Sequence, residues 1–441
     1  MTSPPGSLII RGPIFTGERI ETTAIRIEDG VVVAVSDQDL GRAARTIELG
    51  PRETLVPAGT DALCAMRDWG ESPRDTVETV SRGALAGGVT LVCDQANTVP
   101  RINTPEIARD RGTWIAPRSF TDFAVHAHPP EHPERITEYK DAGVHALQVF
   151  EWEISPWNTP RDEFDGSADY RRYAELGFST FFFPEESALQ GTPRHAEGER
   201  IALGPLLGRF NPDLKARVLV TQPESVKTIV AAKKALPKLR VQVAPHALFV
   251  SKQRGFEKIG IAAAQTPPLR SEEEVERMEA LAREGLIDIV CSHHAPHRMA
   301  DKYSTDPIPD EYTPKVGYSA IDFFYPLLMT RLGIPLACRL AAEAPAVHFE
   351  LKRGRIATGY EAHLAVVEED PRIPREAIHV AGCVDPGTWY VEPLNFQSLG
   401  KVTPFVGDRL KYRVVKTFLR GEQVYDAKTG EFVRTTVRQI R

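Results

Sequence analysis

The chain has 441 residues, 42% of them hydrophobic, and a formal net charge of -6. That composition supports a sizeable core, with no Lys/Arg block to attract nucleic acid and no apolar run long enough to span a bilayer. Met1-Thr2-Ser3-Pro4-Pro5 lacks the charged and apolar regions of a signal peptide, and five scattered cysteines without CxxC spacing suggest no disulfide framework, so a soluble cytoplasmic protein is expected.

Residues 7–56 alternate short apolar runs with Gly turns. Asp29-Gly30, set between two β-branched runs, predicts a hairpin. A helix is read from Asp75 to Ala86, followed by a strand through Leu91-Val92-Cys93. Ser271-Glu272-Glu273-Glu274 predicts a capping box that opens a helix with Val275, Met278 and Leu281 on one face. Residues 298–316, rich in Pro, Asp and Tyr, read as a long surface loop, either a lid or a variable excursion. Strand patterns return at Leu364-Ala365-Val366-Val367 and from Val414 to Tyr425. Repeated βα units in the middle, flanked by β segments, predict a TIM-type (β/α)8 barrel over 57–354 and a small β-sandwich built from 1–56 and 355–441.

Several ordered motifs carry a resemblance along almost the whole chain. Val56-Pro57-Ala58-Gly59-Thr60-Asp61-Ala62 leads into Leu63-Cys64-Ala65, and Met66-Arg67-Asp68-Trp69-Gly70 leads out. Asp94-Gln95-Ala96-Asn97-Thr98, Pro245-His246-Ala247-Leu248 and Thr266-Pro267-Pro268-Leu269-Arg270 follow, and then Ser292-His293-His294-Ala295-Pro296-His297. Together they resemble dihydroorotase, an amidohydrolase-superfamily enzyme close to hydantoinase and dihydropyrimidinase. The resemblance implies the same barrel and sandwich.

It also implies a metal site, and the residues for one are missing. The family's first-strand His pair falls on Leu63 and Ala65, and its carboxylated Lys on Gln148. Its fifth- and sixth-strand His fall on Phe183 and Leu219, and its last-strand Asp on His293. Leu, Ala and Phe offer no lone pairs to a metal, and a glutamine amide cannot form a carbamate. No catalytic metal and no other cofactor are therefore expected. His126 and His128, or His293 and His297, make only superficial ligand pairs; Pro296 argues against a helix that would align the second pair.

The family's substrate-carboxylate grip is kept. Its counterparts are Arg67, Asn97 and His297, which together can hold a small carboxylate. Taken singly, Arg67 pairing with Asp68 or Asp94, Asn97 shaping a turn and His297 satisfied in a loop are equally natural readings. His293 brings an imidazole expected to titrate near neutral pH and is the candidate catalytic group, or simply fills the space. Cys64 and Cys291 are candidate nucleophiles, but strand alternation points Cys64 away from the barrel interior, and buried cysteines usually fill core. Glu185 and Glu186 read as caps of the following helix.

Two functions of different class follow. One is a dihydroorotase-like protein without a catalytic metal that binds a small carboxylate-bearing cyclic ureide or amide, and, if active, a metal-independent cyclic-amide hydrolase or cyclase. The other is a catalytically silent pseudo-dihydroorotase that supports a partner such as aspartate transcarbamoylase. Homo-oligomerisation is expected from the resemblance.

Overall fold

A computed structural model describes residues 6–130, 132–150, 167–186, 189, 195–303, 316–372 and 388–441. Its centre is a parallel sheet of eight strands in chain order: Gly59–Cys64, Val89–Asp94, Asp122–Ala127, Val144–Phe150, Ser179–Phe183, Lys215–Leu219, Arg240–Val243 and Ile289–Val290. Single parallel bridges from Cys64 to His294 and from His294 to Tyr318 draw the last strand back to the first. The fold is a (β/α)8 barrel with a β-sandwich beside it. Among the described residues no helix is long and apolar enough to cross a membrane.

The strands are nearly all buried because helices cover the outside and side chains fill the inside. Val92, Phe123, Val125, Leu147 and Phe182 join helix residues such as Val80, Met278 and Leu281 in the outer core. The alternate positions, among them Leu63, Cys93, Ala124, Phe181, Phe183 and Leu219, form a separate inner cluster. Cys64 belongs to the outer set, as strand alternation predicts.

The second sheet draws on both ends of the sequence. Glu53–Pro57 pairs antiparallel with Leu364–Glu369, which pairs with Tyr412–Leu419. Leu8, Ile25, Leu55, Leu364 and Phe418 share one core. Asp29 and Gly30, both at positive φ, turn the hairpin between Ile20–Glu28 and Val31–Ser36. Gln439–Ile440 leave this sheet and run parallel to the third barrel strand, so the last residues of the expected 355–441 segment bond to the barrel instead.

The Ser271 capping box opens Glu272–Arg283 with Val275, Met278 and Leu281 buried. The helix expected from Asp75 begins at Val77, with Thr76 as its cap. Asp75 turns its side chain inward: Oδ1 accepts from Thr79 Oγ1 at 2.6 Å, and Oδ2 from Gly400 N at 3.2 Å. Of the expected loop 298–316, Met299–Tyr303 is a short helix, and 304–315 lie outside the described residues.

Candidate ligand-binding site

The C-terminal ends of the parallel strands meet where the motifs cluster. Leu63, Phe183 and Leu219 lie in the inner cluster, all buried. Gln148 is also buried, and its Oε1 accepts from Ala96 N at 2.9 Å. Among the described residues, no three His, Cys, Asp or Glu side chains are grouped as a metal ion requires. Leu63, Phe183 and Leu219 offer no lone pairs to a metal at these positions.

The three adjacent motif residues have separate jobs. Ser292 gives both its N–H, at 2.8 Å, and its hydroxyl to the buried Asp61, whose carboxyl burial raises to about 6. His294 Nδ1 accepts from Ala320 N at 3.0 Å and Ile321 N at 3.3 Å, which leaves the proton on Nε2, facing Asp75. His294 is thus a latch at the barrel seam. His293, at φ 49°, turns its ring toward Phe183 and His246, with centroids 5.6 and 5.5 Å away.

His293 does not titrate near neutral pH as expected from sequence, because burial lowers it to about 4. Its Nδ1 lies 3.1 Å from Gln265 Nε2. An amide NH₂ only donates, so this contact occupies the Nδ1 lone pair and puts the ring proton on Nε2. In this arrangement His293 presents a donor to its surroundings and has no free base.

Arg67 sits in a backbone run of three positive φ values, 54° at Arg67, 71° at Asp68 and 50° at Trp69. Such a conformation is costly for non-glycine residues and persists only when its surroundings hold it. Arg111 does the holding: it donates to Arg67 O at 2.7 Å and to Asp94 Oδ2 at 2.7 Å, with its guanidinium 4.8 Å from the Trp69 ring centroid. The Arg67 side chain pairs with Glu71, not with Asp68 or Asp94, and Glu71 is shared with Arg74 at 3.0 Å.

Arg67 Nη2 lies 3.2 Å from His297 Nε2, so the structure brings two of the three expected carboxylate-binding residues together. Arg67 Nε and His297 Nδ1 are buried without partners. Asn97 is half-buried in the loop after the second strand, its Oδ1 buried and unpartnered.

Comparison with known proteins gives relatives along most of the chain. A dihydroorotase of Anaplasma phagocytophilum is 27% identical over 396 residues, covering 85% of this chain and 83% of that one. A dihydroorotase of Syntrophus aciditrophicus is 24% identical over 447 residues, covering 93% and 99%. The L-hydantoinase (dihydropyrimidinase) from Arthrobacter aurescens superposes with a TM-score of 0.82 at 22% identity, covering 97% of each chain. Along most of its length the chain is similar to dihydroorotases in sequence and to a hydantoinase in fold. No protein-family model matches it.

Several residues of this dihydroorotase-like site escaped sequence reading. Glu71 and Arg74 lacked any motif, and only their i+4 and i+7 spacing from Arg67 hinted at a link. Gln265, one residue before the Thr-Pro-Pro-Leu-Arg run, gave no signal. Lys302 donates to Ala264 O and Gly317 O at 3.1 Å each, and burial lowers it to about 7. Arg270, in the same run, is structural: it donates to Thr221 Oγ1 at 2.9 Å and pairs with buried Glu199. Glu185 bonds His195 at 2.9 Å, and most of the residues directly after Glu186, where a capped helix would start, lie outside the described ones. The Cys64 and Cys291 thiols are both pushed up by burial, which suits core filling and not nucleophilic attack.

Proposed function

We propose that this dihydroorotase-like chain binds a small carboxylate-bearing cyclic ureide or amide without a catalytic metal. The observation that carries the reading is Arg67, held buried in a strained loop against His297 with its Nε–H unpartnered. A carboxylate there would accept from Arg67 and from His297, with Asn97 near the loop to orient it. The apolar replacements at Leu63, Phe183 and Leu219 support a pocket that receives a ring where ions would otherwise be held. Turnover is a separate matter. Without a metal to activate water, chemistry would fall to His293, whose lone pair Gln265 engages. A metal-independent hydrolase or cyclase therefore requires Gln265 to move.

The test is calorimetric titration of chelator-treated protein with dihydroorotate, carbamoyl-aspartate and hydantoins, beside Arg67→Ala. Binding that the variant loses supports the reading. Equal binding by both proteins, or none by either, overturns it.

The engaged His293 and the raised cysteine thiols favour a second reading: a catalytically silent relative that supports a partner protein, with aspartate transcarbamoylase as the first candidate. Light scattering of the two proteins mixed would reveal a complex. Two unchanged separate masses would sink that idea.

A further inference from the structure

We infer that Gln95 and Gln148 form the recognition site for a ring carbonyl, and that His126, level with Gln95, reads an adjacent ring N–H. The pocket thus selects a cis-amide edge. This rests on the ligand reading above but on different atoms.

The placement follows from strand alternation. Leu91 and Cys93 face the barrel interior and Val92 the helices, so Gln95 continues the inward set. Ala124 faces inward between outward Phe123 and Val125, which turns His126 inward. Leu147 and Val149 face outward, which turns Gln148 inward. In the parallel register Cys93 pairs with Ala124 and Asp94 with Val125, which brings Gln95 level with His126 on the neighbouring strand. Gln148 approaches Gln95 from the next strand, because its oxygen is tied to Ala96 N at 2.9 Å; Ala146 stands opposite His126, so Gln148 sits two residues further along.

That tie fixes which end of the Gln148 amide is free. Its Nε2 is buried and unpartnered, as are Gln95 Nε2 and both ring nitrogens of His126. Gln95 is 5% exposed and the other two 0%. Burying donors without acceptors is costly, so a group of them on the inward face of adjacent strands calls for an oxygen-bearing ligand. Neutral amide donors suit a carbonyl oxygen. Burial holds His126 far below its ordinary value, so its ring keeps one lone pair and one N–H. Two donors beside an acceptor match the C=O and N–H of a lactam or ureide. Phe181 and Phe183 of the inner cluster supply the apolar surface for the ring face.

The probes are dihydroorotate, dihydrouracil (same edge, no carboxylate) and cyclohexanecarboxylate (carboxylate, no edge), titrated into the full chain, Gln148→Leu, Gln95→Leu and Arg67→Ala. Thermal unfolding checks that each variant folds, and Gln148→Glu serves as an isosteric second variant that reverses the donor. Each glutamine variant should weaken dihydroorotate and dihydrouracil at least about tenfold while leaving cyclohexanecarboxylate unchanged; one hydrogen bond left unmade in a buried site has that effect. If glutamine variants bind dihydroorotate as the parent does while Arg67→Ala loses it, the carbonyl site is wrong and the carboxylate reading stands. If Arg67→Ala has no effect but Gln148→Leu abolishes dihydrouracil binding, the carbonyl site stands and the carboxylate grip falls. A parent that binds neither ureide overturns both.

Discussion

His297 Nε2 lies 3.2 Å from Arg67 Nη2 and 2.9 Å from the carbonyl oxygen of Val316. One nitrogen cannot satisfy both: Arg67 offers a proton, and Val316 asks for one. A proton on Nδ1 leaves Nε2 to accept from Arg67 and gives a carboxylate the donor that the proposed grip asks of His297.

Arg67→Lys is the sharpest probe of that relationship. A lysine keeps the charge but loses the planar fork that reaches Glu71, His297 and a carboxylate together. Carboxylate affinity is expected to fall at least about tenfold, or ~1.4 kcal/mol, by calorimetry. Lysine binding as well as arginine would show that charge alone suffices.

His294→Ala should weaken the fold far more than His293→Phe. The first leaves the N–H groups of Ala320 and Ile321 without their buried acceptor, at a cost of about 2–4 kcal/mol in urea unfolding. The second places an apolar ring between Phe183 and His246 and should change stability by less than about 1.5 kcal/mol. The reverse order would mean that the barrel seam is held elsewhere.

Stability should collapse as pH falls from about 6.5 toward 4. Burial lowers nine histidines: His126, His128, His145, His246, His293, His294, His297, His348 and His363. A base depressed in the folded state binds its proton first in the unfolded chain. Stability is therefore whole above the unfolded value and is lost as pH falls toward the folded one, by up to ~1.4 kcal/mol per group per pH unit. Asp61 and Asp75, raised to about 6, act oppositely, since the folded chain keeps protons the unfolded chain releases between the ordinary carboxylate range and 6. Asp169 and Asp322 are raised as well, and nine against four still decides the sign. A urea midpoint that rises between pH 6.5 and 4.5 would contradict it.

Metal should be absent in stoichiometric terms. After growth with added zinc and gel filtration, elemental analysis is expected to find far less than one ion per chain, and chelator should leave the thermal midpoint unchanged. A retained equivalent of zinc would overturn the metal-free proposal.

Much of this was legible in the sequence because it depends on short-range rules. Asp29-Gly30 needs only a tight turn, Ser271 and Glu274 cap within one helical turn, and Cys64 alternates with its neighbours. The partner of Arg67 was not legible: three successive positive φ values swing the chain so that Glu71, and neither Asp68 nor Asp94, meets the guanidinium. Nor was the state of His293, because its low pKa comes from burial and its tautomer from Gln265, 28 residues earlier in the chain. The sequence names the residues of the proposed site, while the protons they carry follow from the folded surroundings.

The sheet assembled from both chain ends also sets an order for synthesis. Val56 must wait for Ala365, and Leu8 shares a core with Phe418, so Glu53–Pro57 leaves the ribosome long before the strand it pairs with exists. The emerging chain carries unpaired strand edges through most of translation, and a barrel stalled in that state is exposed to aggregation. Moving the N-terminal strands to the end of the gene, by circular permutation, would let the two halves of that sheet emerge together.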